Sequence, residues 1–217
     1  MVDPLRLAIA ATPLAAYLLL LALVNVRRRP LLATGAGDAA ALGGGLVGLA
    51  FIGPIELFRP ESATAEMGPW VWVVLIVLYA LIVSLAVLLA RPRLVIYNIG
   101  LDELRPALAE AVGQLDREAR WAGDNLTLPS LGVSLHVEAF EFMRHVSLKS
   151  SGDRQNLEGW RRLARALRRS LASVSVQPSP RWPSFAITAA VLTVLTLIAL
   201  QRHPQRVAEA VAHLTHF

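Results

Sequence analysis

The chain has 217 residues, of which 55% are hydrophobic and 17% charged, with a formal net charge of +5. A water-soluble domain seldom carries so few charges among so many apolar residues, so the composition points to a membrane class. There is no cysteine, which excludes disulfides, thiolate metal sites, Fe–S ligation and cysteine nucleophiles.

Four apolar runs divide the chain: Leu7–Val26, Ala39–Phe58, Trp70–Ala90 and Trp182–Gln201. Each is close to the roughly 20 residues with which a helix crosses the hydrocarbon core. Between the third and fourth lies a polar block, Arg91–Arg181, long enough for one small core. The expected fold class is an α-helical membrane protein with four transmembrane helices. A small α+β two-layer cytoplasmic domain lies between the third and fourth of them. The expected organisation is a three-helix membrane region over 1–90, the domain over 91–178, the fourth span over 179–201 and an amphipathic tail over 202–217.

The first run carries Pro13 and ends on Arg27-Arg28-Arg29-Pro30. That triple arginine reads as a stop-transfer signal, not as the exit of a cleaved leader. Placing it in the cytoplasm sends the second run outward and returns the third to Arg91-Pro92-Arg93. The expectation is a multi-pass protein of the cell (inner or plasma) membrane, both termini outside and residues 91–181 inside. Arg202 and Arg206 oppose this orientation but are outnumbered by Arg165, Arg168, Arg169 and Arg181.

In the second run, Ala40, Gly44 and Gly48 recur every four residues and line one helix face. Small residues at that spacing allow close helix approach. Three uses fit: packing against the first or third helix, homodimerisation, or a pore lining. Gly53-Pro54 kinks or ends this helix. Glu56 and Arg59 follow, three residues apart, as a snorkelling interfacial pair or a polar functional site. The third run opens on the aromatic anchor Trp70-Val71-Trp72 and is otherwise bulky. The fourth opens on Trp182-Pro183 and carries Thr188, Thr193 and Thr196, hydroxyls that can bond back to their own helix. The spans hold neither a charge pair nor a repeated half, which argues against a secondary transporter.

In the polar block, Leu94–Ile99 reads as a strand, broken by Gly100. Leu104, Leu108, Val112 and Leu115 mark a helix over Leu101–Leu115. Arg117–Trp121, a turn at Gly123-Asp124-Asn125, and Leu126–Leu128 read as a hairpin. Val133, Leu135 and Val137 alternate with polar residues in a half-buried strand, and His145–Ser150 repeats the pattern. A last helix runs from an Asn156 cap to Val174, with Trp160, Leu163, Leu167 and Leu171 on its apolar stripe. The order β-α-β-β-β-β-α predicts a two-layer sandwich. The opposite face of the last helix carries Arg161, Arg165, Arg168 and Arg169, with Arg162 nearby. It serves as a solvated face, a contact for lipid headgroups of the anionic inner leaflet, or a dock for an acidic partner.

No phosphate-cradling glycine loop and no His-Glu-x-x-His spacing occurs. His136, Glu138, His145 and Asp153 form the most catalytic-looking set, which outward positions on a half-exposed sheet also produce. His213 and His216, with His203 upstream, make a poor metal site. No catalytic residue, cofactor, metal or nucleic acid is expected. The expected function is a non-enzymatic adaptor, assembly or regulatory module. Its partners would be membrane lipids, an unidentified protein and a second copy of the chain through the second helix. The alternatives are an oligomeric channel or transporter component using the Gly-rich second helix and Glu56, and a membrane-bound enzyme using the His136 face.

Overall fold

The computed structural model describes residues 4–55, 68, 70–153, 155–202, 204–205 and 207–208. Glu56, Arg59, His203, His213 and His216 lie outside the described residues. In chain order the elements are α1 (Pro4–Val26), β1 (Leu31–Thr34), α2 (Gly35–Ala50), a π-helical turn (Phe51–Ile55), α3 (Trp70–Leu89), β2 (Arg93–Tyr97) and α4 (Leu101–Leu115). There follow β3 (Arg120–Ala122), β4 (Asn125–Leu128), β5 (Val133–Phe140), β6 (His145–Ser150), α5 (Leu157–Ala172) and α6 (Trp182–Arg202). The chain forms two compact units.

The first unit comprises Met1–Leu21, Ala39–Leu88 and Pro183–Phe217. It holds most of the four helices that are long and apolar enough to cross a membrane: Pro4–Val26, Gly35–Gly53, Trp70–Leu89 and Trp182–Arg202. Glycines set how closely they pack. A side chain at Gly48 would collide with the carbonyl of Ile9, so α1 and α2 touch backbone to backbone there. A Cβ at Gly45 would stand 2.7 Å from the Tyr17 Cβ, and one at Gly43 3.0 Å from Val83 of α3. The Tyr79 hydroxyl donates to the Gly43 carbonyl at 2.7 Å. Phe51, in the π turn that ends in Pro54-Ile55, stacks on Trp72 with centroids 6.2 Å apart. Thr193 and Thr196 donate back to the carbonyls of Ala189 and Leu192, so these hydroxyls are satisfied within α6.

The second unit comprises Ala22–Asp38 and Leu89–Trp182. It is a six-stranded sheet of order β1-β2-β6-β5-β4-β3, antiparallel throughout. Alternation decides which face is dry. Val133, Leu135 and Val137 of β5 point inward with Val146 and Leu148 of β6, and all join one core. Leu104 and Leu108 of α4 and Leu163 and Leu167 of α5 complete that core, and the two helices pack against each other. The helices therefore cover one sheet face. Asn156 caps α5 as read from the sequence, its Oδ1 accepting the N–H groups of Glu158 (2.9 Å) and Gly159 (3.3 Å). The buried Asp116 carboxylate closes the end of α4 by accepting from Glu118 N–H, Ser130 N–H and Ser130 Oγ–H, each at 2.9 Å.

From Arg93 to Ala172 the element order is the one expected, with α4 and β6 at the expected boundaries. The difference lies upstream. Leu31–Thr34, in a stretch the sequence reading assigns to the membrane region, is a strand that pairs with β2. Its Leu32 reaches the core opposite Ile96. Three further bonds tie the residues before β1 to the same unit. Asn98 Nδ2 donates to the Arg27 carbonyl at 2.6 Å, Val176 N–H to that of Arg28 and Ser179 N–H to that of Asn25, both at 2.9 Å. Asn98 is fully buried at φ 58°, a conformation that asparagine tolerates better than other non-glycine residues.

Candidate functional site

The basic face of α5 follows from the helix period. With Trp160, Leu163, Leu167 and Leu171 buried, Arg161, Arg165, Arg168 and Arg169 are left exposed, and Arg162 with them. One carboxylate sits among them. Glu158 accepts from Arg165 at 3.0 Å and lies 3.6 Å from Arg162 and 3.8 Å from Arg161. Five arginines against one glutamate leave a strongly positive surface. Exposed pairs of this kind add little stability, roughly 0–1 kcal/mol each, so the face is free to exchange its partners. Arg162, Arg165 and Arg169 line a shallow depression of about 370 Å³ that reaches Leu115 of α4.

The outer face of the sheet is polar at its rim and dry at its centre. Val95 and the side chain of Ser147, cross-strand neighbours, are buried there outside the main core. Around them Asp38 accepts from Arg93 (2.9 Å) and from the Tyr97 hydroxyl, and Lys149 pairs with Glu138. His145 stacks on Phe140 with centroids 4.6 Å apart and lies 5.9 Å from the Tyr97 ring. Of the catalytic-looking set, His136 and Glu138 share this face of β5 and His145 the same face of β6. Asp153 is elsewhere, on an exposed turn, 3.8 Å from Arg91. His136 Nδ1 lies 3.1 Å from Asn125 Oδ1. Among the described residues, no three His, Cys, Asp or Glu side chains converge as a metal site.

Burial of the imidazole holds the His145 pKa below its ordinary 6.5; Asp38 and Glu138 oppose the shift and Lys149 adds to it. A ring held neutral in the fold protonates first in the unfolded chain, so acid favours unfolding. The stability that depends on His145 is complete above pH 6.5 and declines as pH falls below it, through the depressed folded-state pKa. Replacing His145 with glutamine should flatten that part of the acid profile, read as melting temperature in detergent from about pH 7 to 5. An unchanged slope would mean that other groups carry the acid sensitivity.

The small-residue face of α2 splits in two. Gly48 faces α1 without a gap, whereas Gly44 meets nothing within 4 Å and Ala40 is exposed. Gly43 and Gly45, off the four-residue repeat, make the contacts to α3 and α1.

Two groups escape sequence reading. Asp38 sits in the first turn of α2, an apolar run by composition, yet its carboxylate serves β2. The β5–β6 connection places Phe142, 71% exposed, beneath the Arg181 guanidinium, 3.5 Å from the ring centroid. A Phe-Glu-Phe-Met sequence outside any periodic run was the available signal for an exposed apolar tip.

Among the described residues, four apolar helices of spanning length and a separate antiparallel sheet domain place the chain in the class of candidate multi-pass membrane proteins. The chain matches no protein-family model, no curated protein and no solved structure.

Proposed function

We propose that the protein is a non-enzymatic assembly or adaptor module of the cell membrane, presenting its sheet domain in the cytoplasm. The observation that carries this reading is the pairing of β1 with β2. The segment after the first span and the segment after the third then belong to one folded body, which requires them on the same side of a membrane. Arg27, Arg28, Arg29, Arg91 and Arg93 all belong to that body, and basic residues mark the cytoplasmic side. The exposed arginines of α5 are the surface presented, and its occupant is an acidic protein.

Photo-cross-linking in native membranes tests this reading. A photoreactive residue is placed at Ala172, exposed one turn beyond Arg168, or at Thr127, exposed on β4. Protein adducts should concentrate at position 172. Adducts confined to position 127, or an activity that disappears with His145→Ala, would overturn the reading.

A second copy of the chain is supported by the open space at Gly44 and the exposure of Ala40. A Gly44→Leu variant should keep its melting temperature and lose dimers counted by single-molecule photobleaching in bilayers. A wild-type chain that is monomeric throughout would remove that contact.

A further inference from the structure

Beside the basic face of α5, but not on it, lies a cleft of about 310 Å³ within the sheet domain. Its lining includes Gly35, Arg91, Arg93, Leu157, Trp160 and Arg161, and no acidic residue. That volume is at the lower bound of small-ligand sites, about 300 Å³. The three arginines are not equivalent. Arg93 is engaged, its guanidinium 2.9 Å from Asp38, with its stem lying against the bare Cα of Gly35. Among the described residues, Arg91 has Asp153 alone, at 3.8 Å, both side chains largely in solvent. Arg161 has, among the described residues, Glu158 alone at 3.8 Å, and that carboxylate is held more closely by Arg165. Two guanidinium groups thus border one cleft with unmet demand for an anion.

The rest of the cleft is apolar. Trp160 is buried in its wall, and Leu157 is 62% exposed although it opens the helix. Its position in the chain matters as much as its chemistry. Ala90 and Arg91 follow immediately on α3, and Gly35 is the first residue of α2. The cleft is therefore lined by the residues next in the chain to two apolar helices, which sets it near lipid headgroups if those helices cross the bilayer. Planar guanidinium groups grip phosphate through paired N–H bonds, and basic pockets at this level suit phospholipid heads.

We propose that this cleft binds the phosphate of an anionic membrane phospholipid. Arg91 and Arg161 hold the phosphate, and Leu157 and Trp160 bed the glycerol and the first part of an acyl chain. The site rests on the membrane reading above but not on the assembly role.

Native mass spectrometry of the full chain in mild detergent tests it, with dioleoyl-phosphatidylglycerol and dioleoyl-phosphatidylcholine offered together. The expected result is one retained phosphatidylglycerol in preference to phosphatidylcholine. Arg91→Gln with Arg161→Gln should reduce that retention by about tenfold, equivalent to roughly 1.4 kcal/mol. Arg165→Gln with Arg168→Gln removes the same charge and should retain the lipid. Leu157→Glu, an exposed change that sets a carboxylate in the bed, should lose it with an unaltered melting temperature. Inorganic phosphate at millimolar concentration should not displace the lipid. Equal loss in both arginine pairs, retention by the Arg91/Arg161 pair or by Leu157→Glu, or displacement by phosphate would each overturn the assignment. Retention of phosphatidylcholine to the same extent would also overturn it, while leaving the photo-cross-linking result untouched.

Discussion

Gly159→Val should abolish the native sheet domain, and Gly159→Ala should weaken it by more than the roughly 1–3 kcal/mol that overfilling a packed site usually costs. Gly159 lies in the first turn of α5, where the helix backbone presses on the connection before β5. An added Cβ would run into the Leu131 carbonyl and stand 2.8 Å from the Val133 Cγ2. A backbone carbonyl cannot step aside as a side-chain tip can. The helix would have to lift, and Leu163 and Leu167, both fully buried one and two turns on, would lift with it. A domain with net stability of roughly 5–15 kcal/mol does not survive the loss of that layer. Pulse proteolysis in detergent measures the effect. A valine variant as protease-resistant as the wild type would show that α5 does not sit as described.

The second large effect is in the apolar helices of spanning length. Gly48→Leu should drive α1 and α2 apart, because the new side chain would occupy the space of the Ile9 carbonyl and the Ala10 Cα. If these helices cross a bilayer, no hydrophobic drive restores the contact, because packing itself is then the attraction. The expected loss exceeds the roughly 1–3 kcal/mol of ordinary overpacking, read as a lower melting temperature in detergent. Gly44→Leu, four residues away and facing open space, is the control and should melt like the wild type. Equal melting of the two variants would contradict the α1–α2 contact.

Much of the sheet domain was legible because its signals are long and regular. The alternation in β5 and the 3.6-residue stripe of α5 each repeat several times, so chance matches are few. β1 was illegible for the opposite reason. Leu31–Thr34 has four residues, sits between an arginine cluster and an apolar helix, and has one pairing neighbour. Its strand character comes from the edge of β2 and not from its own pattern. Asp38 was hidden likewise, since its partners Arg93 and Tyr97 are far off in sequence. For α2 the glycines marked a close-packing helix, but a repeat of four does not say which glycine meets which neighbour. Gly45 and Gly43, outside the repeat, take contacts as tight as those expected of Gly44. On α5 the arginines lie on the exposed face, opposite the buried stripe. Their inequality was not visible, because it depends on where the Glu158 carboxylate reaches.

The pairing of β1 with β2 also sets an order of events in synthesis. Leu32 emerges long before Ile96, its partner, with two apolar helices made in between. The carbonyls of Asn25 and Arg28 wait longer still, for Ser179 and Val176. Contacts between segments so distant in the chain form slowly. Until they form, β1 is an unpaired strand with free hydrogen-bonding groups, the kind of edge that pairs with the wrong chain. The nascent protein must therefore keep a short apolar strand unmatched until β2, beyond the third apolar helix, has been made. The neighbouring triple arginine supplies the charge that discourages a premature partner.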